Sequence, residues 1–265
     1  MTYLDAVIYG FVQGISEFLP VSSSGHLALL PKLLEFKDPG VAFDLAMHVG
    51  TARAIICYFW KDLLELLDAL ISKLKGEEDP RSYYAINLIL ASIGTFILVL
   101  MIKDYASTYA RNPTWIAINL MVFGAFMYLS DVLAGQMPPG EFDKKSSYKK
   151  AIIIGLSQAI AVFPGVSRSG ITIGTARALK VSRLEAARFS FLLSLPIILG
   201  GFLLKARELT VAGSVDMAHC LLGMFFSFIV GLVTIHYFLK IISRVGLIYF
   251  VIYRFVIAAI LLSIF

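Results

Sequence analysis

The chain has 265 residues, of which 58% are hydrophobic and only 15% charged, and its mean hydropathy is +0.82. A water-soluble domain carries about 25% charged residues, so a soluble fold is excluded and length instead counts bilayer crossings of roughly 20 apolar residues each. The net charge of +5 does not point to nucleic acid, because the basic residues are spread over short loops between apolar runs and read as topology signals.

The first residues, MTYLDAVIYG, lack the basic start and small-residue cleavage site of a secretory signal, so the N-terminus is expected to be retained. Region 4–36 is apolar but broken near its middle by Pro20 and a run of serines, which predicts a helical hairpin that enters the membrane and returns. Apolar spans follow at 41–60, 83–102 and 114–134. They are joined by polar connections at 61–82, which contains an amphipathic stretch Leu63 to Leu74, and at 103–113. Polar loop 135–150 leads to a second interrupted region at 151–180. Spans at 189–204, 217–238 and 247–265 complete the chain, with connections at 205–216 and 239–246. The expected fold is an all-α integral membrane protein of about six transmembrane helices plus two re-entrant hairpins. It is read as a single membrane domain, 1–265, with inverted repeats at approximately 1–134 and 151–265.

Loops 61–82, 135–150 and 239–246 fall on one side and carry ten Lys/Arg, against four in 103–113 and 205–216. By the positive-inside rule the first set is cytoplasmic and both termini are outside. The first hairpin then enters from outside and the second from inside. An internal repeat agrees with this. Shifted by 145 residues, GFVQGISEFLPVSSSGH (10–26) aligns without gaps on GLSQAIAVFPGVSRSGI (155–171), with eight identities. Oppositely oriented halves place paired broken helices around a shared site near the midplane.

The chemistry should lie in those breaks. Serines in SSSG and SRSG suit helix N-caps, and glycine allows close backbone approach. Two helix N-termini that converge offer unpaired N–H groups and positive dipole ends to an anion. Arg168 stands inside the second motif, and a guanidinium kept in hydrocarbon pairs well with phosphate oxygens. The first motif carries Glu17, Ser23 and His26 where the second has Val162, Arg168 and Ile171. One half thus supplies a carboxylate, a hydroxyl and an imidazole, the other a cation, as phosphoryl transfer requires. The nucleophile is Ser23, His26 or water. Ser22, Ser24, Gly25, Ser167, Ser169 and Gly170 are expected around the phosphates, although Ser24 and Ser169 serve equally as glue between helices. Asp44 and His48, one turn apart, either support the site or pack helices. Arg254 faces the bundle or a partner subunit, His219 and His236 are interface residues, and Cys57 and Cys220 are reduced packing residues. None of these is assigned to catalysis.

QGISEFLPVSSSGH together with PGVSRSG resembles the two signature motifs of the undecaprenyl-diphosphate phosphatases of the bacitracin-resistance type, and the resemblance extends over essentially the whole chain. It implies hydrolysis of undecaprenyl diphosphate to the monophosphate, which recycles the carrier lipid for cell-wall polymers at the outer side of the plasma membrane and confers bacitracin resistance. It implies that Glu17, Ser23, His26 and Arg168 correspond to catalytic positions. A divalent cation, Mg²⁺ or Ca²⁺, and a homodimer are expected by the same analogy. One departure is Gln13, where some members carry a second acidic residue. Glu17 would then supply most of the protein's negative charge to a metal, with Gln13 beside the substrate or metal. The rival reading is a lipid-phosphate flippase or anion transporter, which needs Arg168 and the helix N-termini but not Ser23 beside Glu17 and His26. A non-catalytic membrane scaffold is the third.

Overall fold

The computed structural model describes residues 1–33, 39–109, 112–211 and 217–264. Parts of three predicted connections or ends lie outside the described residues: 34–36 of the first hairpin, 110–111, and 212–216 of the 205–216 loop. Among the described residues the secondary structure is entirely helical.

Helix α1 (Tyr3–Ser16) starts at a reciprocal cap. The Thr2 hydroxyl accepts from the Asp5 amide at 3.2 Å, and the Asp5 carboxylate accepts from the Thr2 amide at 2.6 Å. After a break comes α2 (Ser23–Leu33), then α3 (Val41–Tyr58) and α4 (Trp60–Leu74). The long α5 (Pro80–Tyr109) is followed by α6 (Pro113–Ala134). The Asn112 side chain caps α6 by accepting from the amides of Thr114 at 2.9 Å and Trp115 at 3.3 Å, with Pro113 at the first helical position. Helix α7 (Tyr148–Ala159) runs into a 3₁₀ turn (Ile160–Val162) and a second break before α8 (Arg168–Ala178). The chain finishes with α9 (Arg183–Val211), α10 (Met217–Ile242) and α11 (Ile248–Ile264).

Among the described residues, four helices are long and apolar enough to cross a membrane: Pro80–Ala106, Pro113–Ala134, Arg183–Leu203 and Met217–Ile242. They cover the predicted spans 83–102, 114–134, 189–204 and 217–238. The other two predicted spans are shorter helices. Apolar α11 has 17 residues, and α3 has 18 and carries Asp44, His48 and Arg53. At 1.5 Å per residue α3 still reaches about 27 Å, close to the hydrocarbon thickness. Both interrupted regions are helix–break–helix, and the chain is an integral membrane protein. The amphipathic stretch forms all of α4, whose Trp60, Leu64, Leu67, Ile71 and Leu74 form one exposed apolar stripe.

The repeat reappears in the packing. Helices α1 and α2 correspond to α7 and α8, and each first arm packs on a long helix of the other half, α1 along α10 and α7 along α5. Equivalent glycines make both approaches possible. A Cβ on Gly10 would lie 2.2 Å from the Gly223 carbonyl oxygen, and one on Gly155 would lie 2.1 Å from that of Ala91. Neither backbone can move away without parting its helix pair. Gly155→Val is therefore expected to destabilise by about 3 kcal/mol through overpacking, read as a lowered thermal midpoint in detergent. An unchanged midpoint would mean that α7 does not seat on α5 this way.

A buried charge junction fixes the loop end of the second half. Asp131 at the end of α6 accepts from Arg177 at 2.7 Å, from Arg183 at 2.8 Å and from the Leu247 amide at 3.2 Å. One carboxylate thus ties α6, α8, α9 and the start of α11. The rings of Phe142 and Phe189 stack with centroids 4.0 Å apart, beside Tyr84.

Candidate active site

Each break is built on a serine in a conformation that side chains rarely adopt. Ser22 has φ +75° and its repeat partner Ser167 has φ +71°, a left-handed geometry costing roughly 1–2 kcal/mol for a residue other than glycine. The strain turns each serine back as an N-cap. Ser22 Oγ accepts from the Gly25 amide at 3.4 Å and Ser167 Oγ from the Gly170 amide at 3.1 Å. A Cβ on Gly170 would lie 3.1 Å from Ser167 and 3.2 Å from the Arg254 guanidinium, so the tight turn favours glycine there.

The serine at the third position of each motif stitches the hairpins together reciprocally. Ser169 Oγ donates to the Leu19 carbonyl at 3.0 Å, and Ser24 Oγ accepts from the Gly165 amide at 3.5 Å. Glue between helices is thus a role both serines fill. With the tips joined, Glu17 and Arg168 meet although 151 residues separate them: the guanidinium donates to Glu17 Oε1 at 2.8 Å. Glu17 is only 6% exposed. Its Oε2 accepts from Ser23 Oγ at 2.7 Å and from the Gln13 amide nitrogen at 3.0 Å, with His48 Nε2 at 3.5 Å. Arg168 also donates to the Ser190 carbonyl of α9 at 3.2 Å, which holds the guanidinium plane toward the carboxylate.

Among the sequence-derived candidates, Gln13, Glu17, Ser23 and Arg168 form one connected group. His26 is placed differently. Its Nδ1 lies 2.8 Å from the Ser22 carbonyl, which can only accept, so Nδ1 carries the proton. Its Nε2 lies 2.7 Å from the Tyr253 hydroxyl, and the two rings stack with centroids 5.5 Å apart. The imidazole thus opens on the α11 side of the pocket, held by Tyr253 rather than by Glu17.

Three residues that the sequence reading did not assign to catalysis complete the arrangement: His48 and Arg254, which it named, and Asn119, which it left out. His48 sits on the carboxylate itself. Asn119 donates to the Pro164 carbonyl at 2.8 Å, steadying the second break. Arg254 is wholly buried and is bonded to carbonyls throughout: Leu120 at 3.0 Å, Asn119 at 3.3 Å, Gly165 at 2.9 Å, Val166 at 3.1 Å and Pro20 at 3.4 Å. One guanidinium therefore holds both hairpin tips against α6. An arginine within an apolar run is an available signal for such a role, but nothing in the sequence tells which backbone it will reach.

The fold and this site define a polytopic membrane protein whose two broken-helix hairpins bring a carboxylate, a hydroxyl and a guanidinium into one buried polar centre. A family model described as bacitracin resistance protein BacA matches residues 6–260. The chain belongs to that family of undecaprenyl-diphosphate phosphatases.

Proposed function

We propose that this protein hydrolyses a polyprenyl diphosphate, undecaprenyl diphosphate foremost, to the lipid monophosphate and inorganic phosphate. The observation that carries the reading is the Glu17 carboxylate shared between Arg168 on one oxygen and Ser23 on the other. A bare anion site needs the cation and the helix N-termini. It has no use for a hydroxyl aimed at a buried base.

The ion pair also supplies a trigger. A diphosphate entering between the N-termini of α2 and α8 competes for the Arg168 guanidinium, which binds phosphate oxygens bidentately. Released from that pair, Glu17 is a stronger base for the Ser23 proton. Ser23 Oγ then forms a bond to the terminal phosphorus as the bridging P–O bond breaks toward the lipid monophosphate. Arg168 and the amides of both N-termini bear the charge on the equatorial oxygens. Glu17 passes the Ser23 proton to the departing lipid monophosphate, and the restored carboxylate then takes a proton from water as its oxygen attacks the phosphoserine. That proton returns to Ser23 Oγ as the Oγ–P bond breaks and inorganic phosphate leaves.

Among the described residues no three His, Cys, Asp or Glu side chains cluster as a metal site. The donors that fit a hard cation are Glu17, the Ser23 hydroxyl and Gln13 Oε1, a buried oxygen with no hydrogen-bond partner. With one carboxylate, such an ion would need substrate phosphates for most of its oxygen ligands. When bound, Mg²⁺ or Ca²⁺ would supply positive charge to the diphosphate. The distribution of basic loops supports entry of the first hairpin from the outer face of the plasma membrane, the side on which spent carrier lipid would be recycled.

The decisive assay is phosphate release from a C15 or C55 prenyl diphosphate by purified protein in detergent. Wild-type turnover with loss in Ser23→Ala supports hydrolysis. Movement of labelled lipid phosphate across sealed vesicles without any phosphate release would establish the transporter reading instead.

Tyr253→Phe separates the hydrogen bond on His26 from the ring stack. We expect kcat to fall by about tenfold, the value of one neutral hydrogen bond, and the pH–rate profile to move while the thermal midpoint stays. A purely structural Tyr253 would leave the profile in place.

A further inference from the structure

Away from the hairpins lies a polar cavity, of about 280 Å³, where α4, the start of α5 and the 139–143 turn meet the beginning of α9. Its charged lining is Asp62, Glu65, Arg81, Asp143, Glu185 and Arg188. Both cations are already engaged. Arg188 pairs with Asp62, and Arg81 pairs with Asp79 at 2.8 Å and with Glu65 at 3.5 Å. Four carboxylates against two guanidiniums leave the cavity net negative.

Two polar atoms from different helices are buried there without hydrogen-bond partners, Glu185 Oε2 and the Tyr84 hydroxyl. Glu185 is only 8% exposed, and its other oxygen accepts from the Phe142 amide at 2.9 Å. A carboxylate oxygen buried and unpaired carries the full penalty of its lost hydration, so native structures fill such positions. The complement is a small group with positive charge and several N–H donors. Anions are repelled by the lining, and the carboxylates are not gathered as a metal cluster among the described residues. A quaternary ammonium carries charge but has no N–H to give.

We propose that this cavity binds a primary ammonium group, with Glu185 Oε2 and the Tyr84 oxygen accepting two of its three N–H bonds. The exposed apolar stripe of adjacent α4 sets the cavity at headgroup level, where an ethanolamine lipid headgroup or a soluble amine could each present that group. The site bears on catalysis through α9, because the Ser190 carbonyl that steadies Arg168 lies on the same helix as Glu185.

The test is the thermal midpoint of purified full-length protein in nanodiscs. The arms are phosphatidylcholine alone, phosphatidylcholine with phosphatidylethanolamine, and phosphatidylcholine with ethanolamine or choline added to the buffer. Occupancy at about tenfold excess over Kd should raise the midpoint by about 4 °C. A rise with the ethanolamine lipid alone assigns a lipid headgroup, and a rise with free ethanolamine as well assigns a soluble amine. Glu185→Gln keeps an oxygen for the Phe142 amide but removes the charge, and should abolish the shift. Tyr84→Phe should reduce it and serves where the first variant is unstable. No shift with any amine in the wild type overturns the proposal, as does an equal shift with choline or in both variants. Phosphate release is scored separately, so this site and the hairpin chemistry stand or fall independently.

Discussion

Arg254→Met should cut turnover by on the order of 100-fold although it alters no side chain of the Glu17–Arg168–Ser23 group. The methionine keeps much of the buried volume but leaves the carbonyls of Pro20, Asn119, Leu120, Gly165 and Val166 without the donor they share. Breaking a buried network of this kind falls among the large single-residue effects, about 4 kcal/mol or more. The hairpin tips are the parts free to separate. A drift of about 1 Å between Ser23 and the phosphate held by Arg168 is enough to cost on the order of 100-fold in rate. Phosphate-release kinetics should show the loss in kcat rather than KM. Arg254→Lys should recover little, because one ammonium with three donors cannot span carbonyls on both breaks and α6. Near-wild-type kcat in Arg254→Met would show that the stitches from Ser24 and Ser169 hold the tips unaided.

The second large effect is expected at the ion pair. Arg168→Lys retains the charge but loses the flat two-pronged geometry, and its kcat should fall by about 100- to 1,000-fold, as for removal of one transition-state donor. Glu17→Gln removes the base, with an expected loss of about 100- to 10,000-fold. The two changes should not add, because each acts on the same contact. A double variant much slower than either single one would mean that Glu17 and Arg168 serve separate steps. The stability readout separates the roles further. Glu17→Gln leaves Arg168 buried beside a neutral amide, whereas Arg168→Lys leaves Glu17 with a cation still in reach. The larger drop in thermal midpoint is therefore expected for Glu17→Gln.

Much of this arrangement was legible before any coordinates. The apolar runs located the four long crossing helices to within a few residues, because a segment surrounded by lipid must satisfy its backbone internally and so becomes helical wherever it is apolar for long enough. The two breaks were legible for the opposite reason. Proline, glycine and clustered serines interrupt a helix at fixed offsets, and their recurrence at the same spacing marked Ser22 and Ser167 as starts of new helices. Span 41–60 is filled by α3 (Val41–Tyr58) to within two residues, although that helix mixes Asp44, His48 and Arg53 among its apolar residues. Those residues proved to include a neighbour of the site.

Sequence alone determined the class of protein and the two interrupted hairpins, and it set Glu17, Ser23 and His26 in the first motif against Arg168 in the second. Those follow from local composition and from a repeat whose copies share about half of their positions and differ, among others, at Glu17/Val162, Ser23/Arg168 and His26/Ile171. Tertiary structure decided the partners. It set His48 rather than His26 on Glu17, gave His26 to Tyr253, and spent Arg254 on the backbone of both breaks. A side chain's type tells what it can bond to, but its actual neighbour is fixed by helix packing across more than a hundred residues of chain. That packing was set here by glycine contacts at Gly10 and Gly155, whose partners no local pattern names.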